Sequence, residues 1–259
     1  MRFALGVEFE GSGFYGWQRQ AAGRTVQASL EAALGRVADT PVEVVCAGRT
    51  DTGVHATGQV VHFDSRAART TDSWVRGGNS HLPPDIRIQW AMPVPESFHA
   101  RFSARRRHYR YVIRNATASP AILRRLVCHE RQPLDQAVMR EAADVLLGEH
   151  DFTSFRAAAC QAKTPVRTIH RLDVTGADGW VYIDIEANAF LHHMVRCIAG
   201  MLISVGTGER LPGWMAEVLA ARDRTQAGVN APAAGLYLVR VEYPYSFRIP
   251  ATGWLPGYG

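Results

Sequence analysis

Cys46-Ala47-Gly48-Arg49-Thr50-Asp51-Thr52-Gly53-Val54-His55-Ala56 is a run of small and polar residues between two β-forming runs, Val42 to Val45 and Gln59 to Phe63. Glycines at 48 and 53 allow a backbone course that a Cβ would forbid, so the pattern puts Asp51 on a tight turn, aimed at something outside the sheet. Turns held by such a scaffold are where binding and catalytic groups concentrate. The same pattern also suits a plain hairpin whose aspartate bonds its own backbone, and the surrounding residues must decide between the two.

Outward from this turn the chain reads as alternating strands and helices. Phe3, Leu5, Val7 and Phe9 alternate in a strand with one buried face, which Gly11-Ser12-Gly13 ends. Phe14-Tyr15-Gly16-Trp17-Gln18-Arg19-Gln20 is an aromatic, polar loop, and Thr25 is expected to cap a helix bearing Val26, Leu30, Ala33, Leu34 and Val37. A short helix around Asp72 to Gly77 and a strand with Ile86, Ile88, Trp90 and Met92 complete the order β-α-β-β-α-β. The second part repeats it. Tyr109, Tyr111 and Ile113 mark a strand, and Val138, Ala142, Val145 and Leu146 a helix capped by Asp135. Two strands follow, with Val166, Thr168, His170, Leu172 and Val174 and with Val181, Ile183 and Ile185. A long helix from about Phe190 to Val205 and a last strand, Leu236 to Val241, close the series. The expected fold is α+β: two ferredoxin-like halves, residues 1–103 with the Asp loop and 104–259, whose antiparallel sheets join across a central RNA-binding cleft.

The 259 residues, 47% hydrophobic and 20% charged, suffice for one large or two ordinary globular domains. No apolar stretch is long enough to span a membrane, and the N-terminus runs into a strand that contains Glu8 and Glu10, so a cytoplasmic location is expected. A net charge of +5 favours a polyanionic partner only weakly, but its distribution is informative. Arg101, Arg105, Arg106, Arg107, Arg110 and Arg114 crowd an interval that also holds Phe102, His108, Tyr109 and Tyr111. Phosphate-binding cations interleaved with stacking faces suit single-stranded or flipped RNA bases, and a solvated charged strand is the alternative. Cys46, Cys128, Cys160 and Cys197 are far apart and read as buried free thiols. His192 and His193 are adjacent, so on a helix they would point to different sides. No metal site is expected, and both histidines are read as packing or RNA-facing residues.

Gly48-Arg49-Thr50-Asp51, Gly53-Val54-His55-Ala56 and Gly58-Gln59-Val60 resemble the active-site segment of the tRNA pseudouridine synthase A family, with Thr52 in place of the usual alanine. The likeness continues in Gly16-Trp17-Gln18, Phe98-His99-Ala100-Arg101-Phe102-Ser103-Ala104, Tyr109-Arg110-Tyr111, Asp151-Phe152-Thr153-Ser154-Phe155, Ala189 to Arg196 and Gly235-Leu236-Tyr237-Leu238. Glu10 stands where the family commonly has aspartate. The resemblance implies an isomerase that turns uridine into pseudouridine at positions 38, 39 and 40 of the tRNA anticodon stem-loop, as a homodimer without cofactor.

It also implies roles. Asp51 is the catalytic carboxylate, and Arg196, which pattern alone leaves as either a core-facing cation or a surface arginine, is its partner. Tyr109, otherwise readable as a core tyrosine, stacks on the base and assists proton removal. Leu236 forms the wall on the far side of the base, and Arg49 holds the flipped nucleotide or its phosphate; by the charge pattern, independently of the resemblance, Arg101, Arg105, Arg106, Arg107 and Arg110 are expected to bind RNA. Two other readings compete. Asp51-Thr52-Gly53 is also the aspartic protease triplet, but such proteases need two carboxylates sharing a proton and this chain has one D-T-G. A non-catalytic RNA chaperone of the same fold is the stronger rival.

Overall fold

A computed structural model describes every residue except 159, 252 and 259. In chain order its first elements are β1 (Arg2–Phe9), α1 (Val26–Ala38), β2 (Val45–Cys46), β3 (His55–Asp64), α2 (Gly78–His81) and β4 (Ile86–Val94). Then come β5 (Arg106–Asn115), β6 (Cys128–Glu130), α3 (Gln136–Asp144), β7 (Gly148–Asp151), β8 (Val166–Thr175), β9 (Trp180–Ala187), α4 (Met194–Gly206), α5 (Trp214–Ala221) and β10 (Leu236–Glu242). The fold is α+β. Its chain divides into two compact units, residues 1–106 with 237–255, and residues 107–236 with 256–259.

In the first unit β1 lies antiparallel between β3 and β4. The other edge of β3 is shared: its far end pairs with β2, and its near end pairs in parallel with β10 through Tyr237↔His55 and Leu238↔Ala56. The last strand of the chain therefore completes the sheet that carries the Asp51 turn. Thr25 caps α1 by accepting the Ala28 N–H, and Val26, Leu30, Ala33, Leu34 and Val37 are buried. The expected helix near Asp72 to Gly77 is a π-helical turn, Ser73–Gly77, running into α2. It buries Trp74 edge-on to Phe63 at 4.9 Å and tilted on Phe3 at 5.5 Å. The segment after β4 is pinned to the sheet, since Ala100 N–H donates to Nδ1 of His62 at 3.1 Å and the Tyr243 hydroxyl donates to Ala100 O at 2.7 Å.

In the second unit β9 lies antiparallel between β5 and β8, β7 adds antiparallel to β8, and β6 pairs in parallel with β5. Asp135 caps α3 by accepting the N–H groups of Ala137 and Val138. The expected inward face of β8 is corrected by a bulge. Ile169 pairs with Ala187 and Arg171 with Glu186, so His170 is the extra residue and is exposed, while Ile169, Leu172 and Val174 are buried. The long helix is also shorter than expected: α4 begins at Met194 because His193 takes φ 64°, a left-handed conformation that cannot continue a helix backwards. Sequence periodicity passes over β6 and β7, which have only three and four residues of weak pattern, and α5, a nearly uniform apolar run. All four cysteines are free, and among the described residues no helix is long and apolar enough to cross a membrane.

The His62 contact has a pH signature. Burial, with Arg2 and His99 nearby, lowers this imidazole from 6.5 to about 4. The unfolded chain therefore takes up a proton between those values that the folded chain refuses. Stability is full above pH 6.5 and falls on acidification toward pH 4, by roughly 2–3 kcal/mol from this group. His62→Asn, which keeps an acceptor near the Nδ1 position, is expected to flatten that part of the curve in urea unfolding followed from about pH 7 to about pH 4.5. An unchanged slope contradicts the assignment.

Candidate active site

Asp51 occupies the turn between β2 and β3, half-buried, with Thr50 buried before it and Thr52 exposed after it. Val54 N–H donates to Asp51 O at 3.1 Å and closes the turn, and Gly53 adopts the positive φ of 80° that this requires. The loop following β1 holds the turn from outside. Trp17 N–H donates to Thr50 O at 3.0 Å. Beside it Gly16, at φ 85°, lies so close that a Cβ would stand 2.7 Å from Thr50 O and 3.0 Å from the carbonyl carbon of Asp51. Gly11 makes a second such approach, 1.9 Å from Val54 O for a built Cβ.

Gly11 N–H also donates to Nδ1 of His55 at 3.0 Å, and the buried His55 ring stacks on Tyr237 at 4.7 Å. Because Nδ1 accepts, the neutral ring carries its proton on Nε2. On the other shoulder of the turn, the Gln59 amide donates to Gly48 O at 2.7 Å. The backbone of the turn is thus held on both sides while the Asp51 side chain keeps partial access to solvent. Arg49 is exposed next to it. Burial pushes the Cys46 thiol up to about 12, and the charges of Arg49 and Arg101 work against that rise, which sets both guanidiniums near the start of the turn.

In the second unit Tyr109 and Tyr111 share a face of β5. Tyr109 is buried with its ring edge-on to Phe190 at 5.1 Å. Tyr111 is fully buried and donates its hydroxyl to Pro232 O at 2.8 Å. Burial, then the adjacent Cys128 thiol, pushes its phenol well above the usual value, with Arg196 acting the other way. Arg196, in the first turn of α4, donates through Nε to Ala231 O, and Ala231 N–H donates to Arg196 O, both at 2.9 Å. Leu236 is buried just beyond the Ala233–Gly235 turn, where a Cβ on Gly235 would meet Val112 O at 2.6 Å. Segment 229–236 therefore gathers Tyr111, Arg196 and Leu236. His192 and His193 precede α4 rather than lying on it, with ring centroids 4.0 Å apart, so the expectation that a helix splays them is corrected.

The arginine run divides. Arg101, Arg105 and Arg106 are exposed. Arg107 is buried and donates to Asn188 O at 2.8 Å. Arg110 is on the opposite face of β5 from Tyr109 and makes a bidentate pair with Asp184 at 2.9 and 2.7 Å, which His108 joins at 2.9 Å. Burial alone would raise the Asp184 carboxyl, but hydrogen bonds from His108 and Arg110 outweigh it and hold the group below the usual carboxylate range. The sequence reading gave no role to Gly16 or His55. The signal was present as a glycine after two aromatics and a histidine four residues beyond the aspartate, but neither names its partner.

Comparison with known proteins gives the family of the chain. The model of a family described as "tRNA pseudouridine synthase" matches residues 6–103 and 142–244. A protein named tRNA pseudouridine synthase A from Nitrosococcus oceani is 59% identical over 250 residues, 96% of each chain. Proteins of the same name from Shewanella amazonensis and Photorhabdus laumondii are 56% and 54% identical, over 96% and 97% of this chain and 96% of each relative. With both of its units matched, the chain belongs to the tRNA pseudouridine synthase family.

Proposed function

We propose that this chain isomerises uridine to pseudouridine in tRNA, with Asp51 as the nucleophile. The observation that carries the reading is the Asp51 turn, whose backbone is locked by Gly11, Gly16 and Trp17 while its carboxyl keeps access to solvent. Family membership and relatives named for this reaction support it.

The reaction breaks the N1–C1′ bond of uridine and makes a C5–C1′ bond. A proton leaves C5, one is gained at N1, and nothing is oxidised or added, so the chemistry calls for no cofactor. An ionised carboxylate can attack C1′, attack the ring, or act as the base that opens an elimination route. In each case a base seated over Asp51 removes water and favours the neutral acid unless a cation stays close. Arg196 is that cation. Tyr109 stacks on the uracil and takes part in removing the C5 proton, Leu236 covers the opposite side of the base, and Arg49 holds the flipped nucleotide or its phosphate. Arg101, Arg105 and Arg106 contact the RNA backbone, whereas Arg107 and Arg110 act by ordering the strand behind them. The substrate is the anticodon arm, at neighbouring uridines 38, 39 and 40. The enzyme works in the cytoplasm as a homodimer of chains with two ferredoxin-like halves.

A non-catalytic RNA chaperone with the same surface is the second reading, and product formation separates the two. Wild-type protein is expected to release tritium from 5-tritiated uridine in an anticodon-arm transcript. Asp51→Asn should lower that release at least about a hundredfold while tRNA affinity stays within about threefold. Tritium retained by wild type sinks the enzyme reading.

Tyr109→Phe is expected to reduce kcat by about ten- to a hundredfold with little change in affinity. Equal losses in both argue against a chemical role. Gly16→Ala tests the clasp on the turn. Its methyl must displace Thr50 and Asp51, so kcat should fall at least about tenfold, with a smaller effect on tRNA binding. Unchanged turnover removes the clasp from the account.

A further inference from the structure

Phe102 is 76% exposed, although Phe98 and Ala100 in the same segment are fully buried. It is also held in place. One side of the ring stacks on His99, with centroids 4.3 Å apart and planes at 28°, and the Arg101 guanidinium lies 5.5 Å from its centroid. His99 is fixed in turn, because its Nδ1 accepts the N–H groups of Phe102 at 3.1 Å and Arg101 at 3.2 Å. Its ring rests 4.8 Å from buried His62. Burial, then the charge of Arg2, lowers the His99 imidazole, so it stays the neutral acceptor that this turn requires. The backbone on either side is anchored as well: His99 N–H donates to the Ser103 hydroxyl at 3.0 Å, and Arg105 N–H donates to Glu242 O at 2.8 Å.

A single exposed apolar side chain is ordinary on a protein surface; what sets Phe102 apart is that its ring is fixed against His99 with a guanidinium over it. The surroundings indicate a partner for it. Arg101, whose guanidinium lies over the ring, and Arg105 and Arg106, which follow it closely in the chain, are exposed, while Asp64 is paired with Arg2 at 2.8 Å. The local field therefore suits a polyanion. The charges of Arg101 and Arg49 both act on the Cys46 thiol, just before the Asp51 turn. The geometry points to Phe102 as a stacking platform for an unpaired nucleotide of the RNA, with Arg101 and Arg105 on the flanking phosphates. The platform rests on the reading of this chain as a tRNA-modifying enzyme and adds how a strand next to the target is held. His99 backs the ring, and a base stacks on the part of it that stays in water, beside the Arg101 guanidinium that lies over it. Stacking of this kind tolerates any base, so the contribution is to affinity and positioning rather than to sequence choice.

The test compares wild type, Phe102→Ala and Phe102→Trp in fluorescence-anisotropy titrations with an unmodified tRNA transcript and with a blunt RNA duplex of equal length. Loss of one base stack should weaken tRNA binding by Phe102→Ala roughly tenfold, with Trp restoring it. Duplex affinity should stay within about twofold, since a paired base offers no free face. The melting temperature of Phe102→Ala should match wild type, because the ring is mostly outside the core. Equal tRNA affinity of Phe102→Ala and wild type overturns the platform. So does a shift in oligomeric state by sedimentation equilibrium, which would make the ring part of a protein interface. Tritium release by wild type on the same transcript is read separately. Phe102-dependent binding without release keeps the platform and removes the enzyme reading.

Discussion

The rest of the candidate site depends on a contact between two stretches of bare backbone: the Cα of Gly16 against the peptide of Thr50 and Asp51, flanked by the Trp17 to Thr50 hydrogen bond. A carboxylate on a free turn would sample many directions, and ordering it during a reaction would add to the barrier. Here the order is present beforehand. Gly16 and Gly11 bring one backbone within van der Waals contact of another at both ends of the turn, a distance no side chain would allow. Buried Trp17 and Phe14 keep the outer loop in place, and Glu10 accepts hydrogen bonds from the backbone and hydroxyl of Ser12. The two departures from the family's usual residues fit this picture. Thr52 is exposed, so its extra atoms meet solvent, and Glu10 still caps its turn.

The arginines illustrate how one run of like residues takes up different work once a strand gives it two faces. On β5 residues 107, 109 and 111 face one way and 108 and 110 the other. Arg110 and His108 converge on the buried Asp184 carboxylate from β9, Arg110 as a bidentate ion pair and His108 through a hydrogen bond. The Arg110 guanidinium also covers the Tyr182 ring at 4.9 Å and donates to Pro256 O at 3.1 Å, which fastens the end of the chain to this sheet. Removing Arg110 would leave the buried Asp184 carboxylate without its bidentate partner, so the pair holds the two strands together. The exposed cations of the run, Arg101, Arg105 and Arg106, lie ahead of β5 or at its first residue.

In the second unit a stretch without regular structure organises the residues of interest. Segment 229–236 takes a hydrogen bond from Tyr111, exchanges two with Arg196 and then delivers Leu236 into β10. Close packing at Gly200, where a Cβ would stand 2.0 Å from Val229 O, presses the segment onto α4. The position of Arg196 thus follows from a helix start set by His193 and from a loop more than thirty positions away along the chain.

Much was legible from local pattern. Period-two alternation located β1, β4, β5 and β9, a short apolar run located β10, helical spacing with an oxygen-bearing cap located α1 and α3, and the glycines around Asp51 marked a turn. These features express preferences of neighbouring residues, which act whatever the rest of the chain does. Other features depend on partners distant in sequence and have no local signature. Among them are the parallel pairing of β10 with β3, the bulge that turns Ile169 inward, the left-handed His193 that shortens α4, and the burial of Arg107 and pairing of Arg110 with Asp184 beside the exposure of Arg101. Each is settled by which backbone groups and charges must find partners once water is excluded, a condition that exists only in the assembled fold.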